Sequence, residues 1–332
     1  MSKKVLLTGA DGFLGNNIAR ELLNRGYEVR GFIEPNRQPK TLENLPNLTL
    51  LKGDLLNETD VERATEGCDF VIHAAANTTV IPSRSDIIRK VNLDGTRNSI
   101  EACLKNKIQR LVFVGTANTF GFGSKEKPGH EGLPYNGAQY NLDYMDSKYE
   151  AYLLLMKAVK EQNLPAVVVN PTFMLGPYDT KPSSGAMIVN LYQGKIPGYT
   201  KGGRNYLYVK DAACGTVNAL EKGRIGESYI MGNVNLSYKE AFTLMAKIIN
   251  VKSPAIYFPP FLTKGFALLL TFVAKIQGKL PNISYEMALI SCDEHYFTAA
   301  KAIREIDLPQ TPLSIAIKES FEWLGDNGYL DK

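Results

Sequence analysis

Apolar, β-branched runs recur through the first half of the chain, at Val5–Thr8, Glu28–Ile33, Leu48–Lys52, Phe70–His73, Arg110–Val114 and Ala166–Asn170. Between them, apolar residues fall at helical spacing over Phe13–Asn24, Thr59–Glu66, Ser85–Leu104 and Leu142–Gln162. Strand and helix in alternation predict right-handed βαβ units around a parallel sheet. The strands are apolar almost throughout, as a sheet covered by helices on both faces requires.

After Asn170 the pattern loosens, with frequent Pro and Gly between Pro171 and Gly203. A strand at Tyr206–Val209, a helix from Asp211 and a strand near Tyr229–Met231 precede a mostly helical tail. The expected division is a first domain over 1–170, with later segments near 204–232 interleaved, and a second lobe over 171–332. One tail segment, 264–275, is almost wholly apolar between Lys264 and Lys275. It falls short of the ~18 apolar residues of a spanning helix. The expectation is a buried helix of the small lobe; a greasy substrate entrance and a peripheral membrane contact are the alternatives.

Composition narrows the class. The 332 residues, 44% hydrophobic and 22% charged, are those of an ordinary globular protein of about two units. A net charge of +4 is too mild for a nucleic-acid partner. Cys68, Cys103, Cys214 and Cys292 are too scattered for a metal site or a disulfide framework, and read as reduced cytoplasmic thiols. The apolar run at Val5–Leu7 is too short for a signal peptide.

Thr8-Gly9-Ala10-Asp11-Gly12-Phe13-Leu14-Gly15 follows the first strand and opens the first helix. Gly9 permits a tight turn, Gly12 lets a pyrophosphate approach the backbone, and Gly15 lets helix and strand pack closely. The helix start, with Phe13 and Leu14, offers unpaired N–H groups and a positive dipole end. This is a dinucleotide site on a Rossmann-type doubly wound sheet. Glu34, 19 residues beyond Gly15, is placed to accept from the adenosine ribose hydroxyls and repel a 2′-phosphate, which favours NAD. Arg37 keeps NADP open. Asp54, with Leu55 beside it, is placed for the adenine amino group, although Gly53-Asp54-Leu55 also reads as a turn. Ala74, Ala75 and Ala76 leave room for the cofactor at the end of the fourth strand, and His73 reads as structural.

Tyr144 and Lys148 share one face of a helix. A tyrosine acting near neutral pH needs its pKa of ~10 lowered by ~3 units, about 4 kcal/mol. An ammonium ~5 Å away supplies ~3 kcal/mol at an effective dielectric of ~20, and an oxidised nicotinamide adds more. A second pair, Tyr206 and Lys210, falls on the predicted strand, where such residues stand ~13 Å apart. Thr116 ends the fifth strand, at the edge where open α/β sheets bind ligands.

Together Thr8–Gly15, Asp54, His73–Ala76, Asn92-Leu-Asp-Gly-Thr96, Thr116, Tyr144-xxx-Lys148 and Asn170-Pro171 resemble the extended short-chain dehydrogenase/reductase family over nearly the whole chain. The resemblance implies that Tyr144 is the general acid/base and that Thr116 binds the reacting oxygen. Lys148 would lower the pKa of Tyr144 and hold the nicotinamide ribose. Asn92 would support the relay helix, and Asn170, Pro171 and Thr172 would surround the nicotinamide. The Asp-Glu pair of the family's dehydratases is replaced by Ala117 and Asn118. Arg204 matches an arginine that clamps a diphosphate in sugar-nucleotide enzymes; the second such arginine is missing from Cys292–Thr298. Asn170-Pro-Thr172, Gly176-Pro177, Asp179–Pro182 and Gly223–Tyr229 are similar to bacterial dihydroflavonol-reductase-like proteins, hopanoid-associated sugar epimerases included. Those usually carry an arginine where Glu34 stands.

The implied activity is NAD(P)-dependent hydride transfer on a secondary alcohol or ketone of a mostly apolar small molecule. A nucleotide-sugar epimerase and a non-catalytic dinucleotide sensor are the alternatives. Thr78, Asn118, Phe173, Met174 and Arg204 are the candidate substrate residues. The family further implies a homodimer through the long helices after the fourth and fifth strands.

Overall fold

The computed structural model describes residues 2–281 and 284–331. The first half runs β1 (Lys4–Thr8), α1 (Phe13–Asn24), β2 (Glu28–Ile33), β3 (Leu48–Lys52), α2 (Glu58–Thr65), β4 (Phe70–His73), α3 (Asp86–Lys105), β5 (Arg110–Val114), α4 (Asp143–Gln162) and β6 (Ala166–Pro171). There follow β7 (Phe173–Leu175), α5 (Ala186–Tyr192), β8 (Gly198–Tyr199), β9 (Gly203–Tyr208), α6 (Val209–Glu221), β10 (Ser228–Met231), β11 (Val234–Ser237) and α7 (Tyr238–Ile248). The tail holds β12 (Ile256–Tyr257), α8 (Pro260–Ile276), α9 (Tyr285–Cys292), β13 (Glu294–His295), α10 (Ala300–Ile306) and α11 (Leu313–Asp326).

The six predicted strands and β10 form one seven-stranded parallel sheet in the order β10-β6-β5-β4-β1-β2-β3. Successive strand residues face opposite sides. Val5 and Leu7 therefore join Ile18 and Leu22 of α1 and Ala213 and Val217 of α6 on one face. Leu6 joins Val61 of α2, Ile100 of α3 and Leu155 of α4 on the other. The chain reverses its winding between β1 and β4, which opens a crevice at their carboxyl ends.

A smaller sheet, β11-β9-β13 with β7 on β9, packs against α5, α7 and α11 through Ile188, Met245 and Ile317. The chain steps from one sheet to the other across Thr172: Pro171 ends β6 and Phe173 starts β7. The Thr172 hydroxyl donates to Asn205 Oδ1 at 2.8 Å, and its N–H to Met231 O at 2.9 Å, so the step is pinned to both sheets.

Two elements differ from expectation. The strand expected at Tyr206–Val209 is Gly203–Tyr208, and Val209 already belongs to α6, where its side chain joins the core. The apolar run 264–275 does form a helix, α8, but not a buried one. Only Ala267 and Ala274 are buried, while Phe261 is 71% and Ile276 70% exposed. The helix rests on its smallest residues, and the lobe's core is already closed by other helices.

Candidate active site

The glycine turn is made of backbone. Gly9 has φ +67°, and a Cβ on it would stand 2.7 Å from Ala75 Cα. A Cβ on Gly15 would stand 2.0 Å from the Gly9 carbonyl oxygen. Gly12 precedes α1 without a side-chain cap, so the first-turn N–H groups, from Phe13 on, lack intrahelical partners. The Leu14 side chain is buried in the core. Thr8 Oγ1 accepts from the Ala75 N–H at 3.2 Å and meets His73 Nδ1 at 2.8 Å, tying the ends of β1 and β4 together. Burial, then the charge of Lys148, pushes His73 down to about 3, so this histidine is a neutral structural link.

Around the adenosine end, Glu34 follows β2 with 73% of its side chain exposed. Arg37 Nε lies 3.2 Å from Glu34 and 3.4 Å from Asp11, so two carboxylates answer its charge. Asp54 Oδ1 accepts from Leu56 N–H at 2.9 Å, an Asx-turn that uses one carboxylate oxygen for structure. Leu55 packs on α3 at Gly95, where a Cβ would stand 2.4 Å from its Cδ2. Ala74 and Ala76 are half-buried beside the turn.

Thr116, Tyr144 and Lys148 converge at the carboxyl end of β5. Thr116 Oγ1 accepts weakly from the Asn118 N–H at 3.4 Å, and its hydroxyl acts on Tyr144. Burial raises the pKa of Tyr144; Thr116 and the charge of Arg204 pull it back. Lys148 Nζ donates to Val114 O at 2.7 Å and lies 4.5 Å over the Phe113 ring. Burial pushes Lys148 down to about 7. Among the described residues, the charge that pulls Tyr144 down is that of Arg204. Asn92 bonds Asn77 N–H at 2.8 Å and Ser147 Oγ at 2.9 Å, bracing α4.

Asn170 is buried, and neither atom of its side-chain amide has a partner. It crosses Gly115, where a Cβ would stand 2.3 Å from its Oδ1. A buried amide left open in this way is a place for a ligand's hydrogen-bonding group. Pro171 and Thr172 follow it into the crevice. The second pair makes no relay: Tyr206 is buried in β9, and Lys210 on α6 pairs with Glu319 at 2.7 Å.

On the substrate side, Arg204 Nε donates to the Tyr238 hydroxyl at 2.9 Å, and its guanidinium lies 5.1 Å over Phe173. Burial opposes its charge, but Tyr238, Tyr206 and Tyr140 support it, and its pKa ends above the ordinary guanidinium value. Among the described residues it makes no salt bridge. The Tyr140 hydroxyl donates to Asp293 at 2.6 Å and meets His295 Nε2 at 3.2 Å. His295 Nδ1 and the Tyr206 hydroxyl are buried without partners. Burial, then Arg204, pushes His295 down to about 3. The sequence does not single out Tyr140, Tyr238, Asp293 or His295 as substrate-side residues, and marks Tyr206 only as half of a second Tyr–Lys pair, because they arrive from separate elements. Of the other candidates, Asn118 is half-buried beside Thr116, and Thr78 is exposed. Met174 turns away from Phe173 and packs on the large sheet's core.

A family model described as NAD dependent epimerase/dehydratase family matches residues 5–232. The chain is 24% identical to sterol demethylase protein B of Methylococcus capsulatus, over 98% of this chain and 99% of that protein. It is 28% identical to a bifunctional dihydroflavonol 4-reductase/flavanone 4-reductase of Malus domestica, over 97% and 96%. A nucleoside-diphosphate-sugar epimerase from Pseudomonas aeruginosa superposes with a TM-score of 0.82 at 25% identity, over all of both chains.

Proposed function

Since the chain belongs to the NAD dependent epimerase/dehydratase family, we propose that it is an NAD-dependent oxidoreductase of the extended short-chain type. It moves hydride to or from a secondary alcohol or ketone. The convergence of Thr116, Tyr144 and Lys148 beside the glycine turn carries this reading. The glycine turn receives the pyrophosphate, Glu34 the ribose hydroxyls and Asn170 the nicotinamide carboxamide. Lys148 has N–H donors left for the second ribose after its bond to Val114 O. The bound dinucleotide supplies the hydride acceptor or donor. Thr116 orients the substrate oxygen, and the Tyr144 hydroxyl takes or returns its proton. Exposed Glu34, which also engages Arg37, favours NAD over NADP.

Arg204, without a salt bridge among the described residues, favours a second reading, a nucleotide-sugar epimerase, because a half-buried guanidinium without a carboxylate suits an anionic substrate group. Domains at 1–170 with 204–232 interleaved and at 171–332, a homodimer through α3 and α4, and a cytoplasmic location complete the proposal.

Tyr144→Phe should lower hydride transfer by about 10²–10⁴-fold while NAD affinity, read by calorimetry, stays unchanged. Loss of both together would overturn these roles, unchanged activity would remove Tyr144 from the relay, and a wild type that binds NAD without turnover would be a dinucleotide sensor. Nucleotide extraction from the purified wild type separates the two enzymes: tightly retained NAD marks an epimerase, an exchangeable site a reductase.

A further inference from the structure

Helix α8 exposes an apolar face that none of the described residues covers. At 3.6 residues per turn, Phe261, Phe266, Leu268, Leu269, Phe272 and Ile276 fall within an arc of about 160°. Each is more than half exposed. Ala267 and Ala274, the two buried residues, lie on the opposite side. Monomers rarely leave so continuous an apolar surface to water.

The chain that leads into and out of this helix carries charge of one sign between Glu240 and Glu286. Residues 241–285 contain five lysines and no Asp, Glu or Arg. The segment carries +5 in a chain of net +4, so the rest of the molecule is slightly acidic. Lys264 and Lys275 flank the same edge of the apolar arc. A second copy seated on this face would set lysine against lysine, since a two-fold contact pairs a patch with itself. The helix is about 25 Å long, and no helix among the described residues is long and apolar enough to cross a membrane.

We propose that α8 is an interfacial helix that docks the protein on an anionic lipid surface. Its apolar face enters the acyl boundary while Lys264 and Lys275 reach the headgroups. The helix packs on α9, whose Ile290 shares a cluster with Tyr140, Leu142 and Met145 beside Tyr144. The docked face therefore adjoins the wall of the substrate site, and an apolar alcohol or ketone enters from the bilayer. That last step rests on the oxidoreductase reading; the docking does not.

Flotation of the full chain on a density gradient tests it, with vesicles of phosphatidylcholine alone or mixed equally with phosphatidylserine. The protein should float with the mixed vesicles and lose most of this binding in high salt. Phe266→Ser with Phe272→Ser should lower flotation roughly tenfold or more, with melting temperature and NAD binding preserved. Lys264→Gln with Lys275→Gln should reduce it to the level on phosphatidylcholine alone. A wild type that stays down with both vesicles overturns the proposal. So does a serine variant that floats equally well, or one that merely dissociates a dimer in sedimentation while the wild type ignores vesicles. Tyr144→Phe should float like the wild type, so a failed oxidoreductase reading and a failed docking proposal give different results.

Discussion

The turn at Gly9–Gly15 and the cluster around Arg204 lie on two sides of Tyr144 and are built from different materials. The turn is backbone: Gly9 against Ala75, Gly15 against the Gly9 carbonyl, and open N–H groups at the start of α1. Its geometry tolerates no side chain, so spacing alone reveals it. The cluster is side chains: Arg204 and Tyr206 from β9, Phe173 from β7, Tyr238 from α7, His295 from β13 and Tyr140 from the turn Gly137–Tyr140. Each projects from a different element, so none is fixed by the spacing of the others. One region is shaped to hold a constant partner and the other is free to be re-lined for a different one.

The largest effect that would test this contrast is at the turn. In Gly15→Ala the new methyl meets a carbonyl oxygen that belongs to the backbone, so it has nowhere to go. NAD affinity by calorimetry should fall about a hundredfold, and chemical denaturation should register a loss of about 1–3 kcal/mol. A variant that binds NAD normally would break the claim that the turn is fixed by sterics.

A smaller effect is expected across the site. Arg204→Met should leave NAD affinity unchanged, raise KM for the substrate roughly tenfold, and move the rising limb of the kcat profile to higher pH. The direction follows from the lost cation, which now pulls the pKa of Tyr144 down. If NAD affinity drops as far as substrate affinity, the two regions are not independent.

A pH-dependent effect sharpens the contrast between the two cations. Lys148 titrates near about 7 in the fold against an ordinary 10.5. Between these values the unfolded chain binds more protons, so stability rises with pH, by up to about 1.4 kcal/mol per unit. Urea melts across that window should show the slope, and Lys148→Met should remove its share. Arg204, charged throughout, should contribute none of it.

Much of the dinucleotide half was legible. Six strands, the glycine turn and the shared helical face of Tyr144 and Lys148 all follow from periodicity and spacing, because each is local. Asp54 and Leu55 each do structural work that spacing does not disclose. Helical proximity points to Lys148 beside Tyr144 but not to Arg204, which is 60 residues away in sequence and which only the fold brings near. The same holds for Tyr140 and His295. Strands of two or three residues, such as β7 and β13, are too short for alternation to register. For α8 the apolar run predicts a helix but not which side meets protein; the alanines hold that answer.

The step across Thr172 acts as a ruler. Asn170 and Phe173 are three residues apart, so the Cα atoms that carry the amide assigned to the cofactor and the ring under Arg204 stay within about 11 Å of each other. Selectivity then depends on length as well as chemistry: the oxidised carbon and the far polar end of a substrate must match a separation set by covalent bonds. One residue added at this junction would lengthen the ruler and, since strand residues alternate, exchange the directions of Phe173 and Met174.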